Sequence, residues 1–379
     1  MVGTPAPATV GMAVEEVDTP ALLIELDAFE RNLNRMADAV AGTDARLRPH
    51  SKTHKCAVIG LQQMQRGAVG ICCQKVGEAE AMVYGGVGDV LVTNQIVGAP
   101  KLAKLVSLAR RAKIAVCADD VGNVADLNDA AGAADVQLDV LVEIDIGARR
   151  CGVEPGSAAL ELAQIIDRAA NLRFGGLQAY QGSAQHIREY EGRRQAINAA
   201  VALTRDTVAL LAAQGLECDI VGGAGTGTYQ FEAASNVYSE LQAGSYIFMD
   251  ADYGRNLNEE GDNFTDFENS LFVYATVLSH AAPDRAVLDA GLKALSVDSG
   301  LPIPWRLPGV DYVSASDEHG KLALAPTPGT DNSDLKVGDK LRLVPGHVDP
   351  TVNMYDWFVC IRDGRVEALW PIVGRGQLL

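Results

Sequence analysis

Positive charge is scarce in this chain of 379 residues: 32 Lys and Arg stand against 49 Asp and Glu, a formal net charge of −17. Such a balance repels a phosphate backbone or an anionic membrane surface, so neither nucleic acid nor membrane is expected as a partner. No basic stretch interrupts it. Residues 1–15 hold no Lys or Arg and so lack the charged start of a secretory signal. No apolar run approaches the roughly 20 residues needed to span a bilayer. The seven cysteines, at positions 56, 72, 73, 117, 151, 218 and 360, are odd in number and without CxxC spacing. Buried free thiols in a reducing cytoplasm are expected of them, not a metal site or a disulfide frame.

What is present is length and pattern. Apolar residues make up 48% and run throughout, enough for a sizeable core. The length suits a barrel of roughly 250 residues with a smaller partner domain. From about residue 45 to 246, short β-branched runs ending in polar or glycine residues alternate with Ala/Leu-rich helical stretches. The runs are 45–50, 70–75, 89–94, 113–119, 138–145, 172–180, 218–223 and 240–246; helical stretches include 76–84, 100–111, 156–170 and 188–214. Strand–helix alternation predicts parallel βαβ units, and eight of them predict an α/β fold closed as a (β/α)8 TIM barrel. The last unit is weak, because residues 226–239 read as loop, so an open doubly wound sheet stays an alternative.

After residue 252 helical period becomes scarce. Runs at 271–279, 285–288, 340–344, 357–361 and 365–370, between Gly, Pro and Asp turns, predict a C-terminal all-β domain. The apolar strand 21–27 precedes the barrel and is a candidate to join that domain. The expected division is therefore 1–27, a barrel over 28–255, and a β domain over 256–379. The Asn/Glu/Gly-rich loop 254–264 marks the boundary or a lid.

Active sites of such barrels lie at the C-terminal ends of the strands. Those ends carry His50 and Lys52, Gln74, Asn94, Asp119, Asp145 and Arg150, Tyr180, the run 222–227, and Gly244–Ser245–Tyr246. Lys52 follows the first strand, where partial burial beside other cations would lower its pKa and free an amine for Schiff-base chemistry; a solvated loop lysine is the equal alternative. The run Gly-Gly-Ala-Gly-Thr-Gly-Thr at 222–228 follows strand seven. It is neither a P-loop nor a dinucleotide fingerprint, but its N–H groups and hydroxyls suit an anion, and this position is the fold's usual phosphate site. Gly223, Gly225, Thr226 and Gly227, completed by Gly244, Ser245 and Tyr246, are the candidate cup; a plain turn is the alternative.

A reactive lysine and a phosphate cup are what pyridoxal 5'-phosphate requires. At this point the chain resembles a known group. Arg-Pro-His-Ser-Lys-Thr-His-Lys (48–55), Ile-Cys-Cys-Gln-Lys (71–75), Glu-Ile-Asp-Ile-Gly-Ala-Arg-Arg-Cys-Gly-Val (143–153), Gln-Ala-Tyr-Gln-Gly (178–182), Met-Asp-Ala-Asp-Tyr-Gly (249–254) and Val-Pro-Gly-His-Val-Asp-Pro (344–350) look like the D-threonine aldolase/D-serine dehydratase group. The likeness runs from about residue 18 to the C-terminus. It implies an alanine racemase-like barrel plus β domain, a homodimer, and Lys52 as the Schiff-base lysine. It also implies Arg150 at the cofactor's phenolic oxygen, with Gln74 among the binding residues and Tyr180 near the pyridine ring. Without it, Arg150 reads as a surface arginine and Tyr180 as a core tyrosine.

His347 and Asp349 form a weak H-x-D pair that would share one face if extended, although an Asp before Pro350 also reads as a turn residue. The resemblance raises them to ligands of a divalent metal, and an N/O pair suits Mn2+ or Mg2+. Dehydratases of the group carry cysteine and zinc there, so Asp349 favours an aldolase. His186 is the candidate base. The resemblance thus implies cleavage of D-threonine-like β-hydroxy-amino acids to glycine and an aldehyde. Alternatives are 3-hydroxy-D-aspartate aldolase, with Arg255 or Lys293 as the extra cation, D-serine dehydratase, and a non-catalytic pyridoxal-phosphate carrier.

Overall fold

The computed structural model describes residues 5–324 and 335–379. In chain order the first part runs β1 (Ala21–Glu25), α1 (Leu26–Ala41), β2 (Arg46–Leu47), α2 (Ala57–Gln65), β3 (Ile71–Cys73), α3 (Val76–Tyr84), β4 (Asp89–Gln95), α4 (Ala99–Ala109), β5 (Lys113–Ala118), α5 (Val121–Ala134) and β6 (Leu138–Glu143). It continues with α6 (Ser157–Arg168), β7 (Leu172–Gln178), α7 (Tyr190–Ala212), β8 (Ile220–Gly223), α8 (Tyr229–Ala233) and β9 (Glu240–Leu241). Strands β2 to β9 form one parallel sheet in the order β2-β9-β8-β7-β6-β5-β4-β3. A parallel bridge from His50 to Cys72 joins its two ends. The sheet is therefore a closed barrel, and the open-sheet alternative falls.

Period-two alternation builds the barrel's two faces. Cys72, Leu91, Ala115, Cys117, Leu141 and Ile220, from five strands, form a small cluster of their own. Their neighbours Ile71, Cys73, Val90, Val92, Val116, Val140 and Val142 pack into the larger core under the helices. Adjacent Cys72 and Cys73 thus face opposite sides, and all seven cysteines are free thiols. Arg48, 2% exposed, ties the beginnings of two strands by bonds of 2.6 Å to Glu240 and 2.6 Å to Asp89. Removing it would leave buried charge unpaired, at a cost of about 3–5 kcal/mol.

The eighth barrel strand is shorter than the expected 240–246. Only Glu240 and Leu241 pair as strand, and the chain then bends into a 3-10 turn, Ser245–Ile247. Tight approach explains the bend: a Cβ at Gly244 would lie 2.8 Å from the His50 carbonyl oxygen and from Thr53 Oγ1.

The second part comprises β10 (Leu271–Ala282), β11 (Arg285–Leu288), β12 (Ile303–Pro304), β13 (Val310–Ala315), β14 (Gly320–Leu324), β15 (Lys340–Val344), α9 (Val348–Val352), β16 (Trp357–Arg362) and β17 (Arg365–Pro371). Strands β12 to β14 were not legible in the sequence, being short and broken by Asp, Ser and Gly. β1 lies inside this sheet, antiparallel to β10 and parallel to β16. From β1 the chain enters α1, whose Leu26, Phe29, Leu33 and Met36 repeat at three- and four-residue spacing and are buried; Glu25 caps it by accepting the Ala28 N–H at 2.9 Å. Phe29 meets Phe248 at 6.2 Å and Trp370 at 5.7 Å between ring centroids, packing barrel against β sheet. Phe29→Ala would cost about 3–5 kcal/mol. Among the described residues no helix is long and apolar enough to cross a membrane.

Candidate active site

The turn after β2 fixes Lys52. His50 has extended backbone and its Nδ1 accepts the Lys52 N–H at 3.2 Å, while the single Ser51 hydroxyl proton lies between two acceptors, Glu78 at 2.5 Å and the Cys72 carbonyl at 2.9 Å. His50 Nε2 pairs with Thr93 Oγ1 at 3.0 Å. Burial and the neighbouring Lys52 push the His50 imidazole down to about 3, so it is neutral and accepts through Nδ1. With its backbone held, Lys52 reaches over a cavity of about 210 Å3 and its Nζ pairs with Asp349 Oδ2. Burial opposes charge on this amine, but the Asp349 carboxylate outweighs it and holds the ammonium above its ordinary value. That reverses the lowered pKa expected from the sequence: the partner that decides it is an anion 297 positions away.

Loops after the last two strands close one end of the cavity. Ala224, Gly225 and Thr226 line it from one side, Gly244 and Ser245 from the other. Ala224 adopts φ +72, turning the loop. A Cβ at Gly225 would meet Gln185 Oε1 at 2.5 Å, so a larger residue there would displace the Gln185 side chain. Thr226 Oγ1 is buried and has no hydrogen-bond partner among the described residues. A buried hydroxyl left over at a glycine-lined cup suits an anion's oxygen.

Three sequence-based candidates for the cup lie off the cavity wall. Gly223 ends β8, and a Cβ there would run into the Ala179 carbonyl and Tyr238. Gly227 gives its N–H to Gln185 Oε1 at 3.0 Å and its carbonyl to Arg193 Nε at 3.0 Å. Tyr246 is fully buried and its hydroxyl accepts from Gln63 Nε2 at 3.0 Å. The turn following Gly244 presents Ser245 to the cavity and rotates Tyr246 beneath α2.

The side walls carry Gln74, Thr93, Arg150 and Tyr180. The Arg150 guanidinium stands 5.7 Å from the Tyr180 ring centroid and 3.9 Å from Glu143. Gln178 and Gln242 exchange two amide hydrogen bonds of 2.8 Å and complete the lining with Thr53 and Tyr253. These were missed. Gln178 was recoverable, since it lies two residues from Tyr180 on the same strand-end face; Tyr253 sits in an irregular turn with no periodic signal.

Asp349 reaches the cavity through its contact with Lys52, and His347 lies close enough to act on the Asp349 carboxyl, though the two do not form an extended pair. His347 is the extended residue before α9, and Asp349 lies in the helix's first turn. Asp250 starts that helix by accepting the Val348 N–H at 3.0 Å. His347 Nδ1 pairs with Asp298 at 2.8 Å, which leaves Nε2 for another partner. Asp349 Oδ1 is buried and has no hydrogen-bond partner among the described residues; burial would raise its carboxyl, but Lys52 and His347 outweigh that and hold it down at about 2. Among the described residues no cluster of three or more His, Cys, Asp or Glu forms a metal cage. A ring nitrogen and a bare carboxylate oxygen fit a hard divalent ion that keeps other positions for water or substrate.

His186 is over half exposed and does not line the cavity. Its Nδ1 meets Asp252 at 2.8 Å, and the same carboxylate pairs with Arg188 at 2.5 Å and Arg255 at 2.6 Å.

This arrangement can be set beside known proteins. The family described as alanine racemase, N-terminal domain, matches residues 24–252, and the putative serine dehydratase domain matches residues 270–361. The chain belongs to the alanine racemase N-terminal domain family. Two curated relatives are each 48% identical over 99% of this chain and 97% of their own: a 3-hydroxy-D-aspartate aldolase of Paracoccus denitrificans (strain Pd 1222) and a D-threonine aldolase of Arthrobacter sp. A solved D-threonine aldolase from Filomicrobium marinum superposes with a TM-score of 0.95 at 48% identity, covering 99% of this chain and all of that one. These three relatives at 48% identity are aldolases, whereas a D-threo-3-hydroxyaspartate dehydratase of Delftia sp. (strain HT23) matches 93% of the chain at 29% identity.

Proposed function

We propose that this chain is a lyase that uses pyridoxal phosphate and Mn2+ or Mg2+ to cleave D-configured β-hydroxy-amino acids to glycine and an aldehyde. D-threonine, D-allo-threonine and D-phenylserine are the expected substrates. The observation that carries the reading is the meeting of Lys52 and Asp349 over one cavity that ends in a glycine-lined cup. An amine for the cofactor's aldehyde, an orphaned Thr226 hydroxyl for its phosphate and an orphaned Asp349 oxygen for an ion supply three unlike needs in one place. When bound, the cofactor supplies a sink for the electrons of the breaking Cα–Cβ bond and the ion steadies the alkoxide.

The chain's own residues do the rest. Lys52 would hold the cofactor through its amine; Ala224–Thr226 and Ser245 would offer hydrogen-bond donors to its phosphate. Gln74, Arg150 and Tyr180, on the side walls, would contact its ring. His347 Nε2 and Asp349 Oδ1 would hold the ion. His186, its Nδ1 turned to Asp252, keeps Nε2 available for the hydroxyl proton. Residues 28–255 serve as the cofactor-binding barrel and 256–379, with the strand from 1–27, as the β domain. We also infer a homodimer in a reducing cytoplasm; seven free thiols, five of them buried, support that compartment. Sedimentation tests the dimer.

The relatives' names keep 3-hydroxy-D-aspartate aldolase as the second reading. Its two candidate cations are engaged elsewhere: Arg255 with Asp252 at 2.6 Å, and Lys293 with Glu318 at 2.6 Å on the open surface. Glycine release from D-threonine, D-phenylserine and 3-hydroxy-D-aspartate, with and without chelator, separates the readings. Chelator-sensitive cleavage of the first two supports the proposal; cleavage of the third alone selects the second reading, and no glycine from any overturns both.

A further inference from the structure

Two histidines are each steered through Nδ1 by a carboxylate: His347 by Asp298 and His186 by Asp252, both at 2.8 Å. These pairs come from different parts of the chain. His186 and Asp252 follow barrel strands, whereas Asp298 and His347 sit on loops of the β domain. One side chain touches the Asp252 pair and the loop that carries Asp298. Arg255 Nη2 donates to Asp252 Oδ1 at 2.6 Å and to the Ser299 carbonyl at 2.5 Å. Ser299 in turn donates through Oγ to Asp298 Oδ2 at 3.1 Å and lies 3.4 Å from His347 Nδ1. Asp298 is also held by Ser296 Oγ at 2.7 Å.

The loop 298–300 is gripped from two sides. A Cβ on Gly300, at φ +125, would come within 2.9 Å of Arg255 Nη1. On its other side a Cβ on Gly346, the residue before His347, would collide with the Gly300 carbonyl. Arg255 therefore sets where Asp298 stands, and Asp298 sets which His347 nitrogen is free. A guanidinium suits this task because its rigid fork fixes two acceptors at once, which an ammonium on a flexible stem does not.

We infer that Arg255 is a positioning residue that locks the Asp298–His347 pair to the Asp252–His186 pair, and so presets the divalent-ion site from outside it. The inference rests on His347 and Asp349 binding an ion, as proposed above. Outer contacts that orient a ligating histidine are worth about 10–100-fold in metal affinity. It also gives Arg255 a role other than recognising a second substrate carboxylate.

The test is Mn2+ titration of the cofactor-loaded protein, followed by calorimetry or by the EPR signal of free Mn2+, on the parent, Arg255→Lys, Arg255→Met and Asp298→Asn. Arg255 is half exposed, so its variants should fold, and a thermal melt checks this. Expected is Mn2+ binding weakened about tenfold or more in Arg255→Met and Asp298→Asn, less in Arg255→Lys. The visible cofactor band should be unchanged in all three. Parent-like Mn2+ affinity in Arg255→Met overturns the inference. So does a raised KM confined to 3-hydroxy-D-aspartate with Mn2+ binding intact, which would make Arg255 a substrate contact. A parent protein that takes up no Mn2+ overturns the metal reading itself, and this inference with it.

Discussion

Lys52 Nζ and Asp349 Oδ2 form an ion pair that ties the turn after the first barrel strand to the first turn of α9. The pair makes one carboxylate serve two candidate partners. Its Oδ2 faces the amine and its Oδ1 has no hydrogen-bond partner among the described residues. Covalent attachment at Lys52 would change that balance, because an amine engaged elsewhere competes less for Asp349. Mn2+ should therefore bind more tightly to the cofactor-loaded protein than to the bare one, and cofactor should bind more tightly when Mn2+ is present by the same factor. Paired titrations check the reciprocity; equal Mn2+ affinities would show the two sites independent.

Lys52→Ala is expected to lose the visible cofactor band and all turnover. It leaves Asp349 without its cation, so a stability loss of about 1–2 kcal/mol is expected in metal-free protein. Added Mn2+ should recover part of it. Turnover retained without added amine would remove Lys52 from the chemistry.

Chelation should abolish cleavage yet leave the cofactor band in place, since different residues hold the two groups. Asp349→Ala should mimic chelation, with partial rescue by excess Mn2+ because His347 remains. Asp349→Cys should shift preference toward zinc, as thiolate favours softer ions. Full cleavage by protein shown metal-free by elemental analysis would refute the metal role.

Arg150→Lys should still bind cofactor, because the cup on the opposite side is untouched. The rate should fall by about tenfold or more, since a point charge replaces the planar group set against Tyr180 and Glu143. Parent-like kinetics would make Arg150 a surface residue.

Glu232, 1% exposed in α8 just beyond the glycine-rich loop, accepts from Thr228 Oγ1 at 2.9 Å while its other oxygen has no partner. Burial pushes its carboxyl up to about 8. The unfolded chain gives up this proton near pH 4.5 and the folded one keeps it to about 8, so the group costs stability progressively across that window as pH rises. Glu232→Gln keeps an acceptor for Thr228 and removes the ionisation. Its melting temperature relative to the parent should therefore rise from pH 5 to pH 8, with a gain of a few kcal/mol at most. A difference independent of pH would mean that Glu232 titrates normally.

The barrel was legible because its signal is local. Each parallel strand is buried on both faces and each helix on one, so apolar runs and three-to-four periods are written into short windows such as 76–84, where the helix Val76–Tyr84 forms. The motif segments likewise drew Lys52, Arg150, Tyr180 and the glycine run toward strand ends before any coordinates. Local pattern could not say what those side chains meet. Lys52 looked like an amine among cations, and only the fold brings Asp349 to it from 297 positions away. His347 and Asp349 looked like alternating residues of an extended segment, until Asp250, 98 positions distant, capped the Val348 N–H and turned Asp349 into a helix. Tyr246 was offered to the cup by its place after a strand, and a tight approach at Gly244 rotated it into the core. Secondary structure follows from neighbours along the chain, which a sequence displays. Protonation, free valence and the facing of a turn follow from neighbours in space, and these only the closed barrel and its packed β sheet supply.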